Sequence, residues 1–355
     1  MWYNLKKSRE VYKMKKYLLP ETGNFYKANL HCHTTVSDGH WTPEEVKKNY
    51  MAMGYSVIAY TDHDVLIPHP ELADENFLPL NSYEMEVNAP GPWNKFAKCC
   101  HMCLIALEPD NLTQVCWHRN KYTWGNAKNI YSSQVKFDEN EPDYERVYSH
   151  EGISDMMKRG RDAGFFVTYN HPAWSLETAL EFTGYEHMNA MEIVNGSCIH
   201  AGYDDYNGAA YDTMLLTGKR LYCIATDDNH DLHPLGDPAN DSFKGFTMIK
   251  ADKLEYRTIT SALEKGNFYA SQGPEITALW FEDGRVHIEC KGAKEIVAHY
   301  GVRKGKKISA SGEPLTSASF AFAPDDNYIR ITVTDFDGLK ADTNAYFADE
   351  VYKED

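Results

Sequence analysis

Two histidines flank one cysteine in "LHCHTTVSDG", residues 30–39, and Asp38 follows the second histidine by five positions. Side chains alternate along an extended strand, so His31 and His33 share one face while Cys32 points to the other. Two imidazoles on one face can grip one divalent ion, and a neighbouring carboxylate adds an oxygen ligand. The same residue types recur further on. "YTDHD" sets His63 between Asp62 and Asp64, "SYEMEV" carries Glu84 and Glu86, and "CCHMC" carries His101. "YNHP" carries His171, and "TDDNH" carries Asp227, Asp228 and His230. Mixed imidazole and carboxylate sets suit zinc, iron or manganese.

Such residues act together only if the fold converges them. Thr42 as N-cap, Pro43 at the first helical position and Glu45 closing a capping box predict a helix over about 43–53, stopped by Gly54. "YSVIAYTDHD" then reads as a buried strand with a polar end. The unit recurs: "GISDMMKRGRDAG" precedes "FFVTYNHP", and "DDYNGAAYDTMLLTGK" precedes "RLYCIATDDNH", with the strand "NAMEIVNG" between. In a parallel α/β barrel or sheet the carboxyl ends of all strands lie on one face, where distant residues meet. From about residue 274 short alternating stretches separated by turn residues predict a small antiparallel β-sandwich. The long irregular segment 108–148, rich in Asn, Tyr, Trp and Lys, reads as a lid or binding loop.

"HCHTTVSDG", "YTDHD", "YNHP" and "TDDNH" resemble, in order and spacing, the four motifs of the PHP (polymerase and histidinol phosphatase) superfamily of metal-dependent hydrolases, over about residues 26–272. The all-β tail resembles the carboxyl-terminal module of two-domain PHP proteins, carbaryl-hydrolase-like members among them. The resemblance implies a distorted (β/α)7 barrel, residues 25–273, between an extension at 1–24 and a β-sandwich at 274–355. It implies two to three divalent ions, zinc, iron or manganese, in a trinuclear centre. His31, His33, Glu84 and Asp228 would hold the first. Glu84 would bridge to a second on His101 and His171, and Asp38, His63 and His230 would hold the third. Glu86 remains an alternative to Glu84, and Asp227 to Asp228. Asp62 and Asp64 would orient His63, and Glu192 could reach the site from its strand. Asp64 and His200 are the catalytic candidates, His200 to aid a leaving alcohol, and Trp174 and Arg119 are the substrate-contact candidates.

The expected activity is hydrolysis of a small phosphomonoester or phosphodiester by a metal-bridging hydroxide, since clustered cations match a phosphoryl group. The same hydroxide on a carbamate, ester or amide is the alternative enzyme, and a metal-stabilised binding protein the alternative without catalysis. No GxSxG elbow, Walker loop or dinucleotide fingerprint is present where one belongs. Among the 355 residues the net charge is −16, which argues against a nonspecific nucleic-acid binder and for a small phosphorylated substrate. The eight cysteines, without a regular framework, fit reduced thiols buried in strands. Lys6, Lys7, Arg9, Lys13, Lys15 and Lys16 read as a solvated basic tail. With no apolar run of membrane or signal-peptide length, a cytoplasmic chain without membrane contact is expected. The β-sandwich is a packing module through which copies could associate.

Overall fold

The computed structural model describes residues 15–92 and 95–353. Its elements run β1 (Lys16–Tyr17), β2 (Asn24–Asn29), α1 (Pro43–Ala52), β3 (Tyr55–Tyr60), β4 (Leu78–Pro90), β5 (Phe96–Ala106), α2 (His150–Asp162), β6 (Phe165–Tyr169), α3 (Ala179–Phe182) and β7 (Ala190–Asn195). Next come α4 (Gly208–Leu216), β8 (Tyr222–Thr226), β9 (Phe246–Ala251), α5 (Tyr256–Glu264), β10 (Phe268–Ser271), β11 (Ile276–Glu282) and β12 (Arg285–Ala293). The last are β13 (Glu295–Tyr300), β14 (Gly305–Ser309), β15 (Leu315–Ala321), β16 (Tyr328–Thr334), β17 (Lys340–Thr343), β18 (Tyr346–Phe347) and α6 (Ala348–Val351). α1 starts where the capping box places it: Thr42 accepts from the Glu45 N–H, and Glu45 accepts from the Thr42 N–H.

The protein is mixed α/β. One sheet runs β14-β13-β16-β17-β10-β9-β2-β3-β4-β5-β6-β7-β8, and a separate antiparallel sheet runs β1-β11-β12-β15. The expected barrel is corrected in two respects. β5 pairs antiparallel with both β4 and β6, and β9 pairs antiparallel with β2, so the strands are not uniformly parallel. Among the described residues no ladder closes the sheet. β8 meets β9 through one side chain, the Thr247 hydroxyl, which donates to the Ala225 carbonyl at 3.0 Å and accepts its N–H at 3.2 Å. The sheet nevertheless curls. Ala28, Val57, Leu80, Ile105, Phe166, Ala190, Ile224 and Ile249, one from each of β2 to β9, form one apolar cluster. Burying that common face brings the strand ends together.

The second sheet packs over β13, β16 and β17 through Leu279, Ile288, Phe320, Ile296, Ile331 and Val333, an all-β sandwich in cross-section. Because β17 pairs with β10, one layer of this sandwich continues the curled sheet. The basic tail is corrected in part. Lys6, Lys7, Arg9 and Lys13 lie outside the described residues, but Lys16 pairs with Phe281 in β1–β11 and Lys15 covers the Trp280 ring at 4.7 Å. All eight cysteines are buried and unpaired.

Arg330 joins the two layers of the chain. Its side chain is 1% exposed, grips Asp212 on α4 through two bonds of 2.6 and 2.7 Å, and donates to Asp342 at 2.8 Å. Truncating one partner of a buried pair strands the other charge, at a cost of ~3–5 kcal/mol. Arg330→Leu is therefore expected to lower unfolding stability by about that much in urea titrations. A change below about 1 kcal/mol would show that the Asp342 carboxylate does not depend on the pairing.

Candidate metal centre

The ligand-bearing residues sit where strands end, and backbone bonds hold those ends side by side. Past β2, the His31 carbonyl accepts the Asp228 N–H at 3.0 Å, and the His33 N–H reaches the Asn229 carbonyl at 3.1 Å. Past β3, the Asp64 N–H donates to the Glu84 carbonyl at 2.8 Å and the Glu84 N–H to the Asp62 carbonyl at 3.3 Å. Asp38 is folded back over His33 by a turn that needs Gly39, because a Cβ there would stand 2.6 Å from the His33 backbone. His101 arrives from the opposite direction on β5, opposite Glu86 in the β4–β5 register. Three of these positions hold strained backbone: Asp64, His171 and Asp228 have φ of 59°, 27° and 53°. Left-handed conformations at non-glycine residues concentrate at functional sites.

Glu84 lies at the centre. Its Oε1 is 3.2 Å from His31 Nε2, 3.2 Å from His101 Nδ1 and 3.4 Å from His171 Nε2. Its Oε2 is 3.5 Å from His33 Nε2 and 3.1 Å from His63 Nδ1. Asp228 Oδ1 completes a first group, 3.1 Å from His31 Nε2 and 3.0 Å from His33 Nε2, which are themselves 3.1 Å apart. Nitrogen and oxygen donors arranged tetrahedrally about an ion at ~2.1 Å would be about 3.4 Å from one another. Glu84, His101 and His171 form a second group, and His33, Asp38, His63 and His230 a third, each with donor atoms within 4.8 Å of one another. In the third, His230 Nε2 is 3.4 Å and His63 Nε2 is 3.9 Å from Asp38. The buried His33 Nδ1, His63 Nδ1 and Glu84 Oε2 have no hydrogen-bond partner. Unpaired buried donors aimed at one another fit cations between them.

The ring nitrogens turned away from these groups are fixed. Glu192, fully buried on β7, meets His31 Nδ1 at 2.7 Å while accepting from Thr226, Asn195 and the His171 N–H. Ser175 holds His171 Nδ1 at 3.1 Å, and the Asp228 carbonyl holds His230 Nδ1 at 3.0 Å. These contacts select which nitrogen is offered to an ion. Asp62 accepts from Thr34 and Ser37 and so shapes the loop that carries Asp38. Asp227 accepts from Tyr50 and from the N–H groups of Phe243, Lys244 and Gly245, leaving Asp228 as the donor that faces the histidines. Glu86 stands at the edge, 3.4 Å from His101 Nε2.

Electrostatics couples these groups. Burial alone would raise the Glu84 carboxyl, but His31, His101 and His63 hold it well below the usual range. Burial lowers His63 to about 4, helped by the His33 charge. At His230 burial also acts downward, but the bond and charge of Asp38, with Asp228 and Asp241, outweigh it and raise the pKa to about 10.

Two candidates are held in ion pairs of their own. Asp64 is not placed to transfer protons at the cluster: its carboxylate meets Arg146 at 2.6 Å with both side chains 1% exposed, and burial pushes its pKa up to about 7 against that pairing. Arg119 is engaged within the 108–148 segment, where its guanidinium holds Asp143 and the Glu139 and Glu141 carbonyls. His200 stands at the rim, 3.9 Å from Asp241 and stacked on His233. Trp174 lies 5.4 and 5.2 Å from the His101 and His171 rings and is 40% exposed. Within the 108–148 segment, Trp124 reaches His63 at 5.6 Å. Sequence reasoning missed Arg146, a lone loop arginine with no local signature. It left Glu192 open, although a carboxylate inside the apolar "AMEIV" strand must find a buried partner.

No protein-family model and no curated protein sequence matches the chain. Among solved structures it is similar to a two-domain Bacteroides vulgatus protein, described by prediction as containing a PHP-like metal-dependent phosphoesterase, at 16% identity and TM-score 0.45, covering 93% of this chain and 98% of that one. A Bifidobacterium adolescentis protein assigned provisionally as a metal-dependent phosphoesterase matches at 15% identity and TM-score 0.38, over 63% of this chain and 94% of that one. A Chromobacterium violaceum amidohydrolase with bound sulfate and no metal matches at 15% identity and TM-score 0.36, over 57% and 87%.

In the ion-free chain the His230–Asp38 pairing stabilises the fold fully below the ordinary histidine pKa, and that contribution is lost as pH rises through about 10. An ion that takes His230 Nε2 must displace its proton, so affinity is expected to rise with pH across 6–9. Calorimetric metal titrations at pH 7.5 in two buffers of different ionisation enthalpy should register net proton release. Zero release would contradict the protonated, Asp38-paired state of His230.

Proposed function

We propose that the protein is a metal-dependent phosphoesterase of the PHP kind, acting on a small phosphomonoester or phosphodiester at a centre of two to three divalent ions. The carrying observation is the shared carboxylate: Glu84 lies within 3.5 Å of ring nitrogens from His31, His33, His63, His101 and His171. His31, His33, Glu84 and Asp228 would hold one ion, Glu84, His101 and His171 a second, and Asp38, His63 and His230 a third. Divalent ions there would supply Lewis acidity and make hydroxide available from water near neutral pH.

The chain's own residues supply the rest. Three neighbouring donor groups set a span suited to the several oxygens of one phosphoryl group, which gain charge during displacement. Trp124 and Trp174 flank the cluster and exclude bulk water from its mouth. His200 Nε2, on the rim beside Asp241, would protonate a departing alkoxide. The 108–148 segment serves as a fixed cover: Gln114 receives the Leu66 N–H and donates to the Asp64 carbonyl, and Asn126 donates to the Thr35 carbonyl.

After reconstitution with Zn, Mn or Fe(II), para-nitrophenyl phosphate or its diester is expected to turn over much faster than para-nitrophenyl acetate. Asp228→Ala should cost at least ~100-fold in kcat, the scale on which losing charge stabilisation is felt. Acetate hydrolysis dominating would favour action on a carbonyl instead.

A further inference from the structure

The third donor group opens into a cleft of about 720 Å³ whose walls differ from those expected around a polyanion. Asp38 and His230 form its floor. His200 and His233, stacked at 5.6 Å with planes 16° apart, make one wall, and Ile199, Leu232, Pro238 and Ala239 line the cleft together with His40, Ser197 and Asp241. Ile199 and Leu232, both in the lining, are 50% and 66% exposed, so the cleft offers apolar area to a ligand. The carboxylates of the lining are Asp38 and Asp241; four histidines, His40, His200, His230 and His233, line it too, His230 being paired with Asp38 at 3.4 Å, and no lysine or arginine lines it among the described residues. Asp241 is 3% exposed and anchored by the N–H groups of His230 and Asp231 at 2.7 and 3.0 Å, so it cannot swing away.

From this lining we infer the substrate class: an ester with one phosphoryl group and an uncharged, largely apolar organic group, the latter seated in the Ile199–Leu232 cleft. The inference rests on the phosphoesterase reading. The bound ions would supply the cations for one phosphoryl group. A second anionic group on the organic portion would face the anchored Asp241 carboxylate and find no arginine or lysine in the lining to receive it. An uncharged ring or alkyl group would instead cover Ile199 and Leu232 and remove that apolar area from water. Sugar bisphosphates and nucleoside polyphosphates are thereby disfavoured, whereas simple aryl or alkyl phosphates are accepted. Leu232 and Ile199 are the specificity-determining residues.

A matched pair tests this: phenyl phosphate against 4-carboxyphenyl phosphate as substrates, and the two corresponding phosphonates as non-hydrolysed ligands in calorimetry on the metal-loaded protein. The uncharged member is expected to show at least tenfold higher kcat/KM and at least tenfold tighter phosphonate binding. Leu232→Lys, at an exposed position that tolerates the change, should reduce both ratios to below threefold. Equal or better performance of the carboxylated member in the wild type overturns the substrate class, as does an unchanged ratio in Leu232→Lys. If neither phosphate turns over while the phosphonates still bind in the expected order, the phosphoesterase reading fails and the cleft assignment stands.

Discussion

The organisation of this protein depends on one buried carboxylate that has too many neighbours. Glu84 sits at 0% exposure with five imidazoles around its two oxygens, and Asp228 adds a second carboxylate to the same space. Glu84 Oε2, 3.5 Å from His33 Nε2 and 3.1 Å from His63 Nδ1, has no hydrogen-bond partner, a costly state for a buried carboxylate oxygen. Protons on His31 and His101, both held well above the usual histidine value despite burial, relieve part of this in the ion-free chain. Divalent ions relieve it more completely, because each can satisfy several donors at once.

The surrounding structure is arranged to keep that crowded state in place. Strand ends carrying His31, His63, His171 and Asp228 are cross-linked through their backbones, and each imidazole is steered by a partner on its far nitrogen or by ring packing. Glu192 acts on two of these elements, gripping the His31 ring and the His171 N–H. The β13–β16–β17 layer of the sandwich continues the curled sheet through β10–β17, and Arg330 ties α4, which follows the Glu192 strand, to that layer. Packing far from the ions thus stiffens the strands that bear the ligands.

Much of the site was legible in the sequence because metal ligation demands specific residue types at strand ends, a pattern short motifs preserve. The choice between Asp227 and Asp228 was open on sequence alone. Which carboxylate turns inward depends on a left-handed residue and on three N–H groups from 243–245. The distorted (β/α)7 barrel that the resemblance implied is not seen as a closed parallel sheet, and periodicity could not have shown this, since it reports burial but not strand direction. "CCHMCLIA" has the same apolar signature whether it runs parallel or, as here, antiparallel. Arg119 and Arg146 show the limit most clearly: both are loop arginines near the predicted lid, and only tertiary contacts reveal that one braces the segment while the other neutralises Asp64.

The central claim, that these donors converge to hold metal, is tested most directly by metal content. Plasma mass spectrometry of the purified, reconstituted protein is expected to find two to three divalent ions per chain in the wild type, and fewer in His31→Ala and Asp228→Ala variants that retain wild-type circular dichroism. Less than one ion per wild-type chain, or variants with undiminished loading, would contradict it.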